Sequence, residues 1–210
     1  MDDRAMIIVA GGASTRFGSD KLMFEVAGRP LIAHTVEMIR SVVDRCVLVV
    51  RSELVDPLQE AGLGVDVVPG GPTRTGSEIA GLRALGSTAL IGIHDGARPN
   101  PRPSMVSTLF EAAAMHGGAV PSLSPGKPLL RRDTLAVVGA AVTVQTPQVF
   151  WGSELRDAYR AVEGARFECH DTADVVHQFT NLEIAVVTGD PDNIKVTYPE
   201  DLERLLPLLD

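Results

Sequence analysis

The sequence predicts an α/β protein: a Rossmann-like, mostly parallel twisted sheet with helices on both faces and a β-hairpin arm projecting from it. Three observations carry that expectation. Short aliphatic and β-branched runs alternate with longer amphipathic stretches along the chain. Those apolar runs are nearly continuous, the pattern of strands covered on both faces. One segment, residues 122–145, breaks the alternation with Pro, Gly and basic residues and then turns β-branched.

Taken in order, strands are expected at residues 6–10, 46–51, 65–68 and 89–94, with helices at 31–40, 55–61 and 78–85 between them. Strand, helix and strand in succession imply parallel crossovers. Further strands are expected at 118–121 and 184–187. Helices are expected at 104–115, 152–162 and 199–206, the last stopping before Pro207. In the exceptional segment, Pro125-Gly126-Lys127-Pro128 and Arg131-Arg132 precede β-branched alternation over 137–144, and no helical period fits. A hairpin arm over 122–145 is the reading. Two edge strands leaving a small domain need cover, and a second copy of the chain is the simplest cover, so a homodimer through the arm is expected.

The chain has 210 residues, 45% of them hydrophobic and 22% charged, enough for one well-buried domain spanning 1–210. Its apolar runs fall far short of the roughly 20 residues that cross a bilayer. The start Met1-Asp2-Asp3-Arg4 has no signal-peptide pattern, so a cytoplasmic location without a membrane partner is expected. Cys46 and Cys169 stand singly, without zinc-ligand spacing, and read as buried reduced thiols. A net charge of −8 argues against nucleic acid as a partner and leaves local cationic pockets for a small anionic substrate.

The first strand runs into Ala10-Gly11-Gly12-Ala13-Ser14-Thr15-Arg16-Phe17-Gly18-Ser19-Asp20-Lys21. Glycines let backbone N–H groups approach a triphosphate, and Arg16 and Lys21 would neutralise charge building at its α-phosphate. The loop is neither a GxxxxGK[ST] phosphate loop nor a clean GxGxxG fingerprint. A purely structural strand-to-helix turn is the competing reading.

Four further stretches follow: Val68-Pro69-Gly70-Gly71-Pro72-Thr73-Arg74-Thr75-Gly76-Ser77, His94-Asp95-Gly96-Ala97-Arg98-Pro99, Gln145-Thr146-Pro147-Gln148-Val149-Phe150 and Asp192-Asn193-Ile194-Lys195-Val196-Thr197. With the glycine-rich loop, their order and rough spacing resemble the 2-C-methyl-D-erythritol 4-phosphate cytidylyltransferases over nearly the whole chain. The resemblance implies transfer of CMP from CTP to a small phosphorylated alcohol, with release of pyrophosphate and with Mg²⁺ as cofactor. Ala10, Gly11, Gly12, Arg16 and Lys21 would hold the triphosphate, and Gly71 and Ser77 the cytosine and ribose end. Thr146 and the pair Asp171-Thr172 would line the acceptor pocket. Lys195 would reach the transferred or acceptor phosphate, and Asp95 and Asp192 would face the metal.

Asp95 has an independent physical case, because a carboxylate at the carboxyl end of a parallel strand points into the ligand crevice; a cap or turn role is its bland alternative. Arg98 reads equally as a phosphate ligand or as a pin for its own loop. His94 and His170 read as structural or pocket-lining, and Thr197 as the cap of the helix at 199–206. A phosphate dianion attacking phosphorus in line needs positioning and charge neutralisation rather than a general base.

Two departures bear on the acceptor. Val138 or a neighbour occupies the place where the family carries an arginine for the acceptor phosphate, and Gly126-Lys127-Pro128-Leu129-Leu130-Arg131-Arg132 replaces its usual approach. An apolar side chain cannot replace a guanidinium there, which leaves Lys127, Arg131 and Arg132 as candidates. The first loop, with Asp20-Lys21 and Met23, is closer to that of molybdopterin nucleotidyltransferases. A cytidylyltransferase for another polyol or sugar phosphate, a molybdopterin nucleotidyltransferase and a non-catalytic nucleotide-binding module are therefore the alternatives.

Overall fold

A computed structural model describes residues 3–12, 17–18, 20–127, 129, 131–134, 136–139, 141–163, 169 and 171–209. Its strands are β1 (Arg4–Ala10), β2 (Glu25–Val26), β3 (Arg29–Pro30), β4 (Arg45–Val50), β5 (Asp66–Pro69), β6 (Leu90–Asp95), β7 (Gly117–Leu123), β8 (Thr143–Val144), β9 (Gln148–Trp151) and β10 (Glu183–Thr188). Its helices are α1 (Leu31–Arg40), α2 (Val55–Glu60), α3 (Arg74–Leu85), α4 (Pro103–His116), α5 (Gly152–Glu163), α6 (Thr172–Phe179) and α7 (Asp201–Leu205).

The main sheet runs β10-β7-β9-β6-β1-β4-β5, with β8 paired to β7. β1 pairs in parallel with both β4 and β6, β4 with β5, and β7 with β10. Only β9, between β6 and β7, and the short β8 run antiparallel to their neighbours. Side chains of a strand alternate between faces, and β1 divides accordingly. Met6, Ile8 and Ala10 join a core with Ile32, Val36 and Ile39 of α1, Leu58 of α2 and Phe110 of α4. Ala5 and Ile7 join the opposite core with Leu82 of α3, Tyr159 of α5 and Val175 of α6. Both faces are covered, as the continuous apolar runs required.

Local chemistry sets several boundaries. The Thr73 hydroxyl accepts from the Gly76 N–H and starts α3 four residues before the expected 78. Pro103 opens α4, and Gly117 closes it with φ 95°, so the chain passes into β7 without a loop. Antiparallel pairing is seen among the described residues of 122–145. Ser122 and Leu123 pair with Val144 and Thr143, and nearer the tip Val138 N–H donates to the Leu129 carbonyl and Arg131 N–H to that of Ala136.

The structure departs from expectation in four places. The β2–β3 ribbon and β9 were not anticipated, being short and without a clean period, and α6 was missed although Thr172, Val175, Val176 and Phe179 fall at helical spacing. At the other end Thr197 is not a cap: its own N–H and that of Tyr198 donate to the Asp201 carboxylate, which opens α7 from inside the helix.

Candidate active site

Chain order reverses between β1 and β6, because β1, β4 and β5 proceed to one side and β6 lies on the other. Open α/β sheets bind ligands at such a point, outside the carboxyl ends of the strands. There a cleft of about 390 Å³ is lined by Ala10, Gly11 and Gly12 leaving β1, Gly71, Arg74 and Ser77 at the start of α3, Asp95 ending β6, and Lys21 and Lys195. The amino end of α3 lines the cleft and turns the positive end of its dipole toward it. Close approach is built in: a Cβ on Gly71 would lie 2.8 Å from the Gly76 backbone.

A second cavity of about 210 Å³ shares Arg74, Asp95 and Lys195 with the first and adds Arg98, Thr146, Gln148 and Asp171. Three cations converge on Asp95 at this common wall. Arg74 Nη1 is 2.6 Å from Oδ1, Lys195 Nζ 2.8 Å from Oδ2 and Arg98 Nε 3.5 Å from Oδ2. Burial opposes charge on Asp95, but Arg74, Lys195 and Arg98 outweigh it and hold the carboxyl far below the usual carboxylate range. Its N–H donates to the Thr146 hydroxyl at 3.0 Å.

Around this wall, Arg98 also donates to the Asn193 carbonyl at 2.7 Å, so it pins its loop and lines the second cavity as well. His94 is wholly buried, its Nε2 3.0 Å from the Arg98 carbonyl and its Nδ1 3.2 Å from the Thr146 hydroxyl. Burial pushes its pKa down to about 4, so it packs as a neutral ring. The structural account of His94 therefore holds. Lys21 Nζ donates to the Val196 carbonyl at 2.9 Å, which joins the first loop to the segment carrying Lys195.

The model of the 2-C-methyl-D-erythritol 4-phosphate cytidylyltransferase (IspD) family matches residues 5–206. The chain belongs to that family. It is 36% identical to the 2-C-methyl-D-erythritol 4-phosphate cytidylyltransferase of Cereibacter sphaeroides, with 97% of each chain aligned. It is 37% identical to the bifunctional IspD/IspF enzyme of Granulibacter bethesdensis, covering 96% of this chain but 55% of that longer protein. Among solved structures, the cytidylyltransferase of Thermus thermophilus superposes with a TM-score of 0.84 at 30% identity, covering 99% of this chain and 98% of that one.

Of the residues expected from the IspD resemblance, Ala10, Gly11, Gly12, Lys21, Gly71, Ser77, Asp95 and Lys195 come together in the first cleft, and Thr146 and Asp171 in the second. Arg16 and His170 lie outside the described residues. Two expectations are corrected. Asp192 does not join Asp95, because its carboxylate pairs with Arg102 at 2.5 Å while Asp190 holds the same guanidinium at 2.7 Å. Thr172 turns from the acceptor cavity into the core, where its hydroxyl donates to Glu78.

Those ion pairs also bear on how a metal ion could be held. Among the described residues there is no cluster of three or more carboxylate, His or Cys side chains suited to a metal ion. Asp95, moreover, has both oxygens engaged by cations. Asp95 and Asp192 thus do not fit a divalent ion as a protein-built pair. Missed by the sequence reading were Arg74 and Glu78, an i,i+4 pair whose other partners, Asp95, Tyr159 and Thr172, are far away in the chain, and Arg51, whose guanidinium donates to Gly12 and Asp20 in the first loop.

Proposed function

We propose that this chain transfers CMP from CTP to 2-C-methyl-D-erythritol 4-phosphate and releases pyrophosphate. The observation that carries the reading is the wall of Arg74, Asp95 and Lys195 shared by two cavities, in a chain of the IspD family. With the nucleotide in the larger cleft and the acceptor in the smaller, an acceptor phosphate oxygen attacks the α-phosphorus. The new P–O bond forms as the bond to the β-phosphate oxygen breaks, and pyrophosphate carries away the electron pair. Lys195 and Arg74 lie where charge builds on the transferred phosphate, Lys21 and the α3 amino end attract the triphosphate, and Arg16 is assigned the leaving phosphates. Such groups lower the barrier because they are oriented before reaction.

Magnesium belongs to the same proposal, bound by triphosphate oxygens and water rather than by a pair of protein carboxylates, as is usual for this ion. The chain would work as a homodimer in the cytoplasm. The exposed Val137, Val142 and Val144 of the arm support that assembly, being 67%, 53% and 40% accessible on one short hairpin. The Arg131 backbone N–H donates to the Ala136 carbonyl, which keeps Arg131 on the same arm as Val138, and Arg131 and Arg132 are the cations we assign to the acceptor phosphate of a neighbouring copy.

Pyrophosphate release, measured with each of the four nucleoside triphosphates, with and without the acceptor and with and without EDTA, tests the reading. Release that needs CTP, acceptor and metal together is expected. CTP binding without turnover over a panel of polyol phosphates and molybdopterin would replace the reading with a nucleotide-binding module. Light scattering at micromolar concentration checks the dimer, and a monomer there removes the shared arm.

A further inference from the structure

The shared wall is held from behind by a carboxylate that touches neither cavity. Glu78, one turn into α3, has no exposed surface. Tyr159 of α5 donates its hydroxyl to Oε2 at 2.6 Å, and Thr172 of α6 donates to Oε1 at 3.1 Å. Arg74 Nε lies 3.0 Å from that same Oε1, an ion pair too bent to count as a hydrogen bond. The other end of the same guanidinium meets Asp95 Oδ1. One arginine is thus stretched between two carboxylates, the first sealed in the core and the second facing the cleft.

Three consequences follow from that placement. A buried carboxylate without a cationic partner is costly, so Glu78 and Arg74 constrain each other. With Glu78 holding Nε, Arg74 has only its outer nitrogens for Asp95 and engages Oδ1, which leaves Oδ2 for Lys195. Finally, burial raises the Glu78 pKa against the pull of Arg74, Tyr159 and Thr172, and with Glu78 ionised, Arg74, Arg98 and Lys195 against Glu78 and Asp95 leave one net positive charge at the wall. Without Glu78 the guanidinium is released toward Asp95, where a planar fork engages both carboxylate oxygens, and Lys195 loses its anchor.

We propose that Glu78 is a positioning residue for phosphoryl transfer: by fixing Arg74 from the core, it reserves one oxygen of Asp95 for Lys195 and so sets where that ammonium meets the reacting phosphate. Glu78 touches no substrate in this account; it acts through Arg74 and Asp95. The proposal rests on the cytidylyltransferase reading for its kinetic readout but not for its structural one.

Glu78→Gln is nearly isosteric; it removes the charge and turns one of the two acceptor oxygens into an amide donor. With wild type active on CTP and 2-C-methyl-D-erythritol 4-phosphate, the folded variant is expected to lose tenfold or more in kcat while KM for CTP moves less than threefold. A folded variant with kcat within twofold of wild type overturns the proposal. So does a loss that disappears when rates are corrected for the folded fraction, since that is a stability effect alone. If Glu78→Gln does not fold, the exchange Glu78→Thr with Thr172→Glu returns the charge from the opposite wall. A folded, active exchange variant supports the proposal, and failure of both variants to fold reduces Glu78 to a core residue and overturns it. If wild type itself is inactive with this acceptor, the function reading fails separately. A crystal structure of Glu78→Gln, or of the exchange variant if the single one does not fold, then decides. Arg74 turned onto both oxygens of Asp95 with Lys195 displaced supports the proposal for the single variant, as does the wild-type pairing restored in the exchange variant. Lys195 still on Oδ2 in the single variant, or displaced in the exchange variant, overturns it.

Discussion

Arg51 and Asp20 form an ion pair of 2.6 Å that closes the base of the glycine-rich loop, since Arg51 also donates to the Gly12 carbonyl at 2.7 Å on the loop's other side. The guanidinium projects from just beyond β4 and so ties Gly12 to Asp20. Arg51→Ala is expected to raise KM for CTP about tenfold by loosening the loop. Both partners are about one-quarter exposed, so the stability cost should stay near 1 kcal/mol. Steady-state kinetics beside a thermal melt separate the two effects, and an unchanged KM would mean that the loop holds its shape unaided.

Lys195→Ala should depress kcat by about 10²–10³, the range for removing a preorganised donor at developing charge. Asp95 retains Arg74 and Arg98 in that variant, so the fold should survive. Single-turnover rates at saturating substrates check this, and a change confined to KM would assign Lys195 to binding alone.

His94 gives the stability a pH dependence whose sign can be worked out. Its folded pKa is depressed to about 4 from an ordinary value of 6.5. Between those values the unfolded chain binds the proton and the folded one does not, so stability falls as pH drops from about 6.5 to 4. The full effect is up to about 3 kcal/mol. Denaturant titrations at pH 7 and pH 5 should show a smaller difference for His94→Gln than for wild type; equal differences would point to another group.

Gly81 lets α3 sit directly on the sheet. A Cβ there would lie 2.4 Å from Ile7 Cγ2 and 3.0 Å from Val49 Cγ2. Gly81→Ala should cost about 1–3 kcal/mol through overpacking, outweighing the better helix propensity of alanine. Differential scanning calorimetry should find Tm lowered by several degrees, and an unchanged or raised Tm would show that α3 can lift away cheaply.

Most of the doubly covered sheet was legible in the sequence because its strands are the most apolar stretches of the chain, and α1 was located at its observed bounds by its amphipathic period. β9 escaped because four residues interrupting a polar motif carry too little pattern to mark a strand. Within the site, Lys21, Asp95 and Lys195 could be anticipated from local motifs. Arg74 stood in such a motif as well, yet its role depends on Asp95 at the end of a strand, and although i,i+4 spacing links Arg74 to Glu78, no spacing rule links either to Asp95. Asp192 shows the converse: its motif is in place, and what the motif did not reveal is the pairing of its carboxylate with Arg102 at the start of α4.

The cations gathered on Asp95 come from very different depths of the chain, residues 74, 98 and 195. Synthesis delivers them in that order. When β6 has emerged from the ribosome, the first loop, the start of α3 and the Arg74–Asp95 pair are all available, yet Lys195 is not. It follows only after β10, the strand that pairs with the far side of β7 from β9. An unfinished chain therefore has its cleft before it has the ammonium that completes the wall.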